Sequence, residues 1–186
     1  MKKKIIIIGN QFNLIKDYSK FIDSCDYVIR FNKMENYNKN TGTKINELVC
    51  RYANAYNIIH GFNKNSKYLH DINFNEIKLT IVLNDFNDDK ALHLANKICK
   101  INNIINLNFI YNNLNNSYNG EADTNNASTG KIMIENILRN YSLDIYEIYI
   151  VGFNWFNLDT NMGHLWILEK EQIFKYINNN KLIYLK

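Results

Sequence analysis

The sequence predicts a single α/β domain built on a mostly parallel sheet with helices on both faces. Segments with strand-like and helix-like patterns alternate along the 186 residues, which is typical of this class. The segment from Lys4 to Ile8 is almost entirely isoleucine, as expected for a central strand that is buried on both faces. Apolar residues make up 46% of the chain, which is enough for one sizeable core.

The first half of the chain predicts four strands and two helices. The predicted strands are Lys4 to Ile8, Tyr27 to Phe31, Ile45 to Arg51 and Lys78 to Leu83, and the first of them is a continuous β-branched run. A short helix, Tyr18 to Ser24, separates the first two strands. A longer helix is expected to begin at Asp88 and Asp89, because acidic residues suit a helix N-terminus, and to run to about Lys100.

The second half continues the alternation of strands and helices. Strands are predicted at Asn108 to Tyr111, Tyr146 to Val151 and Leu182 to Leu185. The polar stretch from Asn112 to Asn126 is the longest candidate loop. Ser128 and Thr129 stand where the N-cap of a helix belongs, and His164 to Tyr176 predicts the last helix. Since the chain shows neither a repeat nor a linker, we expect residues 1–186 to form one Rossmann-like domain.

Charge and cysteine content exclude several classes of protein. The formal charge of +4 is small and the lysines are scattered, so the basic stripe of a nucleic-acid-binding protein is absent. The three cysteines, Cys25, Cys50 and Cys99, lie far apart and lack CxxC spacing, which argues against a zinc site and against a disulfide framework. We therefore expect them to be buried thiols in a reducing compartment.

The N-terminal residues superficially resemble a signal peptide. An apolar run follows Lys2, Lys3 and Lys4, but it ends at Gly9, too soon for the apolar region of such a peptide. No later segment has the length of a membrane span. We expect a cytoplasmic protein, and peripheral association with a membrane surface stays open.

Polar residues follow the first two predicted strands. Gly9 and Asn10 come directly after the first strand, and Asn32 ends the second. Because the carboxyl ends of parallel strands meet at one edge of a sheet, the two amides could bracket a nucleotide there. Taken alone, Gly9 and Asn10 are explained more simply as turn residues.

Arg30 is a charged residue within the second predicted strand, which is otherwise apolar. A guanidinium in such a strand needs an anionic partner or a path to solvent. Asp26 or Asp23 could supply a structural salt bridge, and we favour that interpretation over contact with a ligand.

The sequence Ser128-Thr129-Gly130 stands at a predicted helix start. Backbone N–H groups and the helix dipole make such a position suitable for a phosphate group. Simple capping of the helix is the alternative.

Taken in order, these residues resemble the animal-type sialyltransferase family. The segments IIIIGN, IDSCDYVIRFN and TGTK correspond to its large sialyl motif, from Ile5 to about Lys44. The small sialyl motif corresponds to Ala127 to Phe153, and the very small motif to His164 with Glu169. The strand followed by Gly-Asn and the serine-glycine helix start are also similar to bacterial lipooligosaccharide sialyltransferases.

The resemblance implies the GT-A-like variant of sialyltransferases and a donor that carries sialic acid or a related 2-keto sugar acid on CMP. The donor-binding residues it implies are Gly9, Asn10, Asn32, Ser128, Thr129, Gly130, Gly152 and Phe153. In this assignment Asn10 and Asn32 hold the phosphate and ribose of CMP. His164 is the general base that deprotonates the acceptor hydroxyl, whereas Glu169 caps or orients. Arg30 and Asp26 are supporting residues.

The resemblance also implies an inverting reaction that needs no metal. A nucleoside monophosphate leaving group carries less charge than a diphosphate, and the sequence contains no Asp-x-Asp motif. We expect no cofactor besides the CMP-sugar, which is the donor substrate, and a glycan or glycolipid as acceptor.

Three alternatives remain. A CMP-Kdo-type transferase would use the same cytidine pocket. A degenerate module that binds CMP without catalysis is favoured by one departure, since the histidine-containing motif expected between the small and very small motifs is missing from Trp155 to Gly163. A dinucleotide-dependent enzyme is disfavoured, because no GxGxxG follows the first strand.

Overall fold

The structure is a computed structural model. It describes residues 1–11, 14–32, 34, 36–37, 40–51, 73, 75–83, 89, 93, 96–97, 106–111, 127–153 and 166–186. Outside these residues lie the predicted loop from Asn112 to Asn126, most of the predicted helix between Asp88 and Lys100, and His164.

The described residues contain seven strands that form one sheet. In chain order they are β1 (Lys3–Ile8), β2 (Tyr27–Phe31), β3 (Glu47–Arg51), β4 (Lys78–Leu83), β5 (Leu107–Tyr111), β6 (Tyr146–Val151) and β7 (Ile183–Tyr184). Their order in space is β5-β4-β3-β2-β1-β6-β7, and every pairing is parallel. The prediction of a Rossmann-like α/β fold with a parallel sheet is confirmed.

Three helices are described in full: α1 (Ser19–Ser24), α2 (Thr129–Asn140) and α3 (Trp166–Asn178). The N-cap of α2 is Ser128, at the predicted position. The α3 helix extends to Asn178, beyond the predicted end at Tyr176. Asn180 follows it with a φ of +56°, in the left-handed region in which helices often terminate.

The isoleucines of β1 belong to two cores, one on each face of the sheet. Ile5 and Ile7 pack in a core shared with apolar residues of α2 and α3. Ile6 and Ile8 pack in a smaller core beneath α1. Successive side chains of a strand point to opposite faces, so an uninterrupted apolar run is what a strand covered on both sides requires.

The position of β1 in the sheet determines which loops meet. It pairs on one side with β2, where Ile8 lies opposite Arg30, and on the other with β6, where Ile8 lies opposite Val151. The residues that follow these three strands therefore lie side by side at one edge of the sheet.

Two of the three cysteines confirm the prediction of buried thiols. Cys25 and Cys50 are buried and unpaired, and burial raises the pKa of Cys25 to about 11 and that of Cys50 to about 12. Cys99 lies outside the described residues. In the part of the chain that the structure describes, none of the helices combines the length and apolarity needed to cross a bilayer.

Candidate functional site

A cleft of about 190 Å³ opens at the carboxyl ends of β1, β2 and β6, beside the N-terminus of α2. Open α/β sheets bind ligands where the strand order changes direction, and here that point is the boundary between β1 and β6. The lining residues come from four segments of the chain, and they are Gly9, Asn10, Gln11, Phe31, Asn32, Ser128, Thr129, Gly130, Gly152 and Phe153. Every residue predicted from the sequence to bind the donor lines this one cleft.

The loops after β1 and β6 pack directly against each other. The N–H of Gly9 donates to the carbonyl of Val151 at 2.8 Å, and the N–H of Gln11 donates to that of Gly152 at 2.9 Å. A Cβ atom on Gly9 would lie only 2.2 Å from the Gly152 oxygen. Gly152 itself has a φ of +71°, in the left-handed region that favours glycine. The close approach of these loops therefore depends on both glycines.

Asn36 fixes the loop after β1 through side-chain hydrogen bonds to its backbone. Its side-chain amide is buried and donates to the carbonyl oxygens of Gly9 at 2.6 Å and Gln11 at 3.3 Å. Asn36 was not among the predicted site residues, because it lies in an asparagine-rich stretch, where the residue type alone carries little information. A buried amide with two backbone acceptors fixes the position from which Asn10 projects.

The side chains of Asn10 and Asn32 border the same cleft but differ in their hydrogen bonding within the described residues. Asn32 has a φ of +46°, and its Oδ1 accepts a hydrogen bond from the N–H of Arg51 at 3.2 Å. The half-buried Asn10 side chain has no hydrogen-bond partner among the described residues. The Asn10 amide therefore keeps both its donor and its acceptor capacity for a ligand.

Ser128 and Glu169 connect the start of α2 to α3. The Oγ of Ser128 accepts a hydrogen bond from the N–H of Lys131 at 3.1 Å. The fully buried Glu169 carboxylate accepts from the N–H of Ser128 at 2.6 Å and from its hydroxyl at 2.7 Å. Glu169 thus holds the N-terminus of α2 at the cleft.

The first turn of α2 presents backbone donors to the cleft. The N–H groups of Lys131 and Ile132 are bonded to Ser128. Those of Thr129 and Gly130 have no acceptor within the described portion of the chain. Unpaired N–H groups at a helix N-terminus, together with the helix dipole, attract anions.

An aromatic wall completes the cleft. Phe153 is largely buried and packs edge to face with Phe31, with 6.0 Å between the ring centroids. A Cβ atom on Gly130 would lie 2.6 Å from Cε1 of Phe153, so the lack of a side chain at Gly130 lets the ring approach α2. Phe31 and Gln11 were not predicted to line the cleft, although they adjoin the predicted residues Asn32 and Asn10.

Arg30 supports a loop and does not line the cleft. Its Nη2 donates to the carbonyl oxygens of Thr41 at 2.6 Å and Gly42 at 3.0 Å, and its Nε donates to that of Lys44 at 3.0 Å. Burial lowers the pKa of the Arg30 guanidinium to about 10, so this side chain is still charged at neutral pH.

The predicted salt bridge between Arg30 and Asp26 or Asp23 is wrong. Among the described residues no carboxylate lies within salt-bridge distance of this guanidinium. Backbone carbonyls satisfy it, and the two carboxylates bind backbone N–H groups. Asp26 accepts from Lys4 at 2.7 Å, and Asp23 accepts from Lys44 at 2.8 Å.

His164, the predicted general base, lies outside the described residues. Burial lowers the pKa of Arg51 at the end of β3, and the nearby charge of Glu169 opposes that shift. Where side chains are described, no group of three or more His, Cys, Asp or Glu residues is arranged to hold a metal ion.

Comparison with known proteins gives a match in structure only. No protein-family model matches the sequence, and no curated protein matches it. One similar structure is a mammalian sialyltransferase in complex with Gal-β-1-3GalNAc-ortho-nitrophenol, with a TM-score of 0.57 and 16% sequence identity over 100% of this chain and 70% of that one. Another structure of a mammalian sialyltransferase has a TM-score of 0.52 and 15% identity over 100% of this chain and 69% of that one. This chain therefore has the fold of the mammalian sialyltransferases.

Proposed function

We propose that the chain is an inverting, metal-independent glycosyltransferase that transfers sialic acid or a related 2-keto sugar acid from CMP to a hydroxyl of a glycan or glycolipid. One observation supports this most strongly. The N–H groups of Thr129 and Gly130 and the amide of Asn10, which have no partner among the described residues, border a single cleft at the switch point of the sheet. An anionic group and a hydroxyl-bearing nucleoside are what these contacts would recognise.

In this proposal the start of α2 binds the negative charge of the donor. The N–H groups of Thr129 and Gly130 contact the phosphate of CMP or the carboxylate of the sugar, and the Thr129 hydroxyl adds a third donor. The Ser128 hydroxyl is already bonded to Glu169 and Lys131, so its contribution is to position the helix. A single phosphate is within the capacity of a helix N-terminus, which removes the need for a divalent metal.

The rest of the cleft would bind the nucleoside. Asn10 and Asn32 would contact the phosphate and the ribose from the ends of β1 and β2. Phe31 and Phe153 offer an apolar surface against which part of the donor can pack.

The reaction follows from the chemistry of such a donor. The acceptor oxygen attacks the anomeric carbon, the bond from that carbon to the phosphate oxygen breaks, and CMP leaves with the electron pair. The transition state resembles an oxocarbenium ion, and attack from the opposite face inverts the configuration. His164, which we assign by resemblance, takes the proton of the acceptor hydroxyl, since imidazole titrates near neutral pH.

Ligand binding tests the nucleotide assignment. In a thermal-shift panel of CMP, UMP, GDP and NAD, we expect CMP alone to raise the Tm. Asn10→Ala should weaken CMP binding about tenfold, because a cleft hydrogen bond is lost. The control is Asn178→Ala, an exposed change at the end of α3 that should leave CMP affinity unchanged. Stabilisation by NAD or UMP in place of CMP would overturn the assignment.

Transfer assays test the chemistry. We expect EDTA to leave activity intact and His164→Ala to abolish it while CMP still binds. Activity that is lost with EDTA and restored by manganese would contradict metal independence. CMP binding without hydrolysis or transfer of any CMP-sugar would favour the non-catalytic module, and preference for CMP-Kdo over CMP-sialic acid would identify the alternative donor.

A further inference from the structure

A second cavity, of about 430 Å³, lies at the opposite edge of the sheet. It is bounded by the amino ends of β3 and β4, by β5 and by α2. Its volume falls within the roughly 300–1,000 Å³ of small-molecule sites. Glu47 begins β3 and Arg51 ends it, so the cavity lies roughly 13 Å along the strand from the donor edge. The two sites are therefore separate.

A row of polar side chains, one from each of the four neighbouring strands β2 to β5, is connected by hydrogen bonds and reaches this cavity. Tyr27 of β2 donates its hydroxyl to Oε2 of Glu47 at 3.0 Å. The hydroxyl of Thr80 on β4 donates to Oε1 of the same carboxylate. The amide of Asn108 on β5 lies 3.5 Å from the Thr80 oxygen. The row begins in the core beneath α2 and ends at the cavity wall.

This row is not what a stable core requires. Glu47 is only 1% exposed, and removing a carboxylate from water costs free energy that apolar side chains at this position would avoid. Burial and the adjacent carboxylate raise the pKa of Tyr27, which keeps its hydroxyl protonated as a donor. The polar row therefore presents a fixed carboxylate to the cavity.

Several polar atoms of the cavity wall are available for a ligand. Oε2 of Glu47 accepts a hydrogen bond only from Tyr27 in the described structure, although a carboxylate oxygen can accept two. Oδ1 of Asn136 accepts from Asn140 at 3.0 Å, but Nδ2 of Asn136 has no acceptor among the residues described. Oδ1 of Asn108 likewise has no donor within that set. The wall therefore offers both donors and acceptors.

We propose that this cavity binds a neutral, polyhydroxylated ligand of the size of a mono- or disaccharide. Lys78 lies 3.5 Å from Glu47, so this pair carries no net charge and an ion is not favoured. Amide and carboxylate groups can accept from and donate to neighbouring hydroxyls of one sugar ring. Tyr141 supplies an aromatic surface for the apolar face of such a ring.

Titration by NMR tests this proposal without any donor or transfer reaction. The probes are methyl galactoside, N-acetylglucosamine and lactose, with glycerol as a small polyol that lacks a ring. We expect saturable shifts of the backbone amides of Asn136 and Tyr141 with at least one sugar, and no saturation with glycerol. Tighter binding of lactose than of both monosaccharides would indicate a disaccharide unit as the ligand. Because CMP is absent, the result does not depend on the proposed function.

Two variants test whether the NMR shifts arise from sugar bound in this cavity. Asn136→Ala should weaken sugar binding about tenfold and should fold, since alanine is favoured in helices. Glu47→Gln, which keeps the size of the side chain, should weaken it similarly. Arg139→Ala is the matched control, because Arg139 is exposed on the same helix and is not part of the cavity wall.

The proposal is overturned if no sugar produces saturable shifts in the wild-type protein. It is also overturned if Asn136→Ala binds sugar as tightly as Arg139→Ala does. Should Glu47→Gln fail to fold, the comparison of these two helix variants decides the question.

Discussion

Gly9 is the residue at which the cleft has least room for a side chain. A Cβ atom there would lie 2.2 Å from the Gly152 oxygen and 2.7 Å from its carbonyl carbon, and both are backbone atoms that cannot rotate away. We expect Gly9→Ala to lower the free energy of unfolding by about 2–3 kcal/mol, because the loops after β1 and β6 must separate. Urea denaturation measures this loss.

Gly130→Ala provides the comparison. The Cβ atom would meet the edge of the Phe153 ring at 2.6 Å, and a side chain can shift where backbone cannot. Gly130 also lies in the first turn of α2, where alanine is at least as compatible with the helical backbone as glycine. We therefore expect less than half of the loss caused by Gly9→Ala. Equal losses in the two variants would contradict this account of the cleft.

The contact between Ser128 and Glu169 is testable by a double-mutant cycle. Ser128→Ala removes the hydroxyl, and Glu169→Gln replaces a charged acceptor of two hydrogen bonds with a neutral amide. We expect a coupling energy of about 1–2 kcal/mol in unfolding free energy, since the two groups contact each other directly and are buried. Glu171→Gln, an exposed change on α3, should show no coupling to Ser128→Ala.

The location of a site residue was predictable where its position relative to a strand end determined its surroundings. Asn10 and Asn32 follow directly after strands, so a parallel sheet alone places them at one edge. The partners of Arg30 were not predictable, because they are backbone carbonyls of a loop and carry no signal in the residue types. Asn36 was missed for the same reason, since its acceptors are the carbonyl oxygens of the β1 loop.

At the scale of elements, buried strands were predicted best. All four strands of the first half begin and end within two residues of their predicted bounds, since each is a short, largely apolar segment bounded by polar residues or glycine. The end of α3 was placed too early, because Asn180 terminates it by its backbone conformation and not by a break in the apolar pattern. The fold class depends on patterns of this kind, whereas exact bounds depend on local geometry.

Arg30 stabilises the loop of residues 41–44 by hydrogen bonds from β2. Lysine cannot reproduce its forked contacts with three carbonyl oxygens and the Thr41 hydroxyl. We expect Arg30→Lys to lower the free energy of unfolding by about 3 kcal/mol, because buried acceptors lose their donors. Urea denaturation measures the change.

Arg139→Lys is the matched control for that loss. Arg139 is exposed in the last turn of α2, so its replacement should change stability by at most about 0.5 kcal/mol. If Arg30→Lys is no more harmful than Arg139→Lys, the carbonyl contacts contribute little to holding the loop.

At the scale of the whole molecule, the spatial order of the strands was beyond sequence analysis. Alternating strands and helices predict a parallel sheet, and sequential strands usually become neighbours. β1 to β5 follow that tendency, but β6 returns to the far side of β1 from late in the chain. That return creates the switch point, and with it the cleft. The site therefore depends on one non-local pairing that no local pattern specifies.

One sheet that contains every strand around the cleft should unfold as one unit. We expect a single calorimetric transition whose van't Hoff and calorimetric enthalpies agree, because β1 pairs with strands from both halves of the chain. CMP at a hundred times its Kd should stabilise the folded state by about 2.7 kcal/mol and raise the Tm by roughly 5–10 °C. Since the proposed contacts with CMP come from residues beside β1, β2 and α2, the entire transition should move. Two transitions, of which CMP moves only one, would show that residues 1–186 do not form the single domain that we predict.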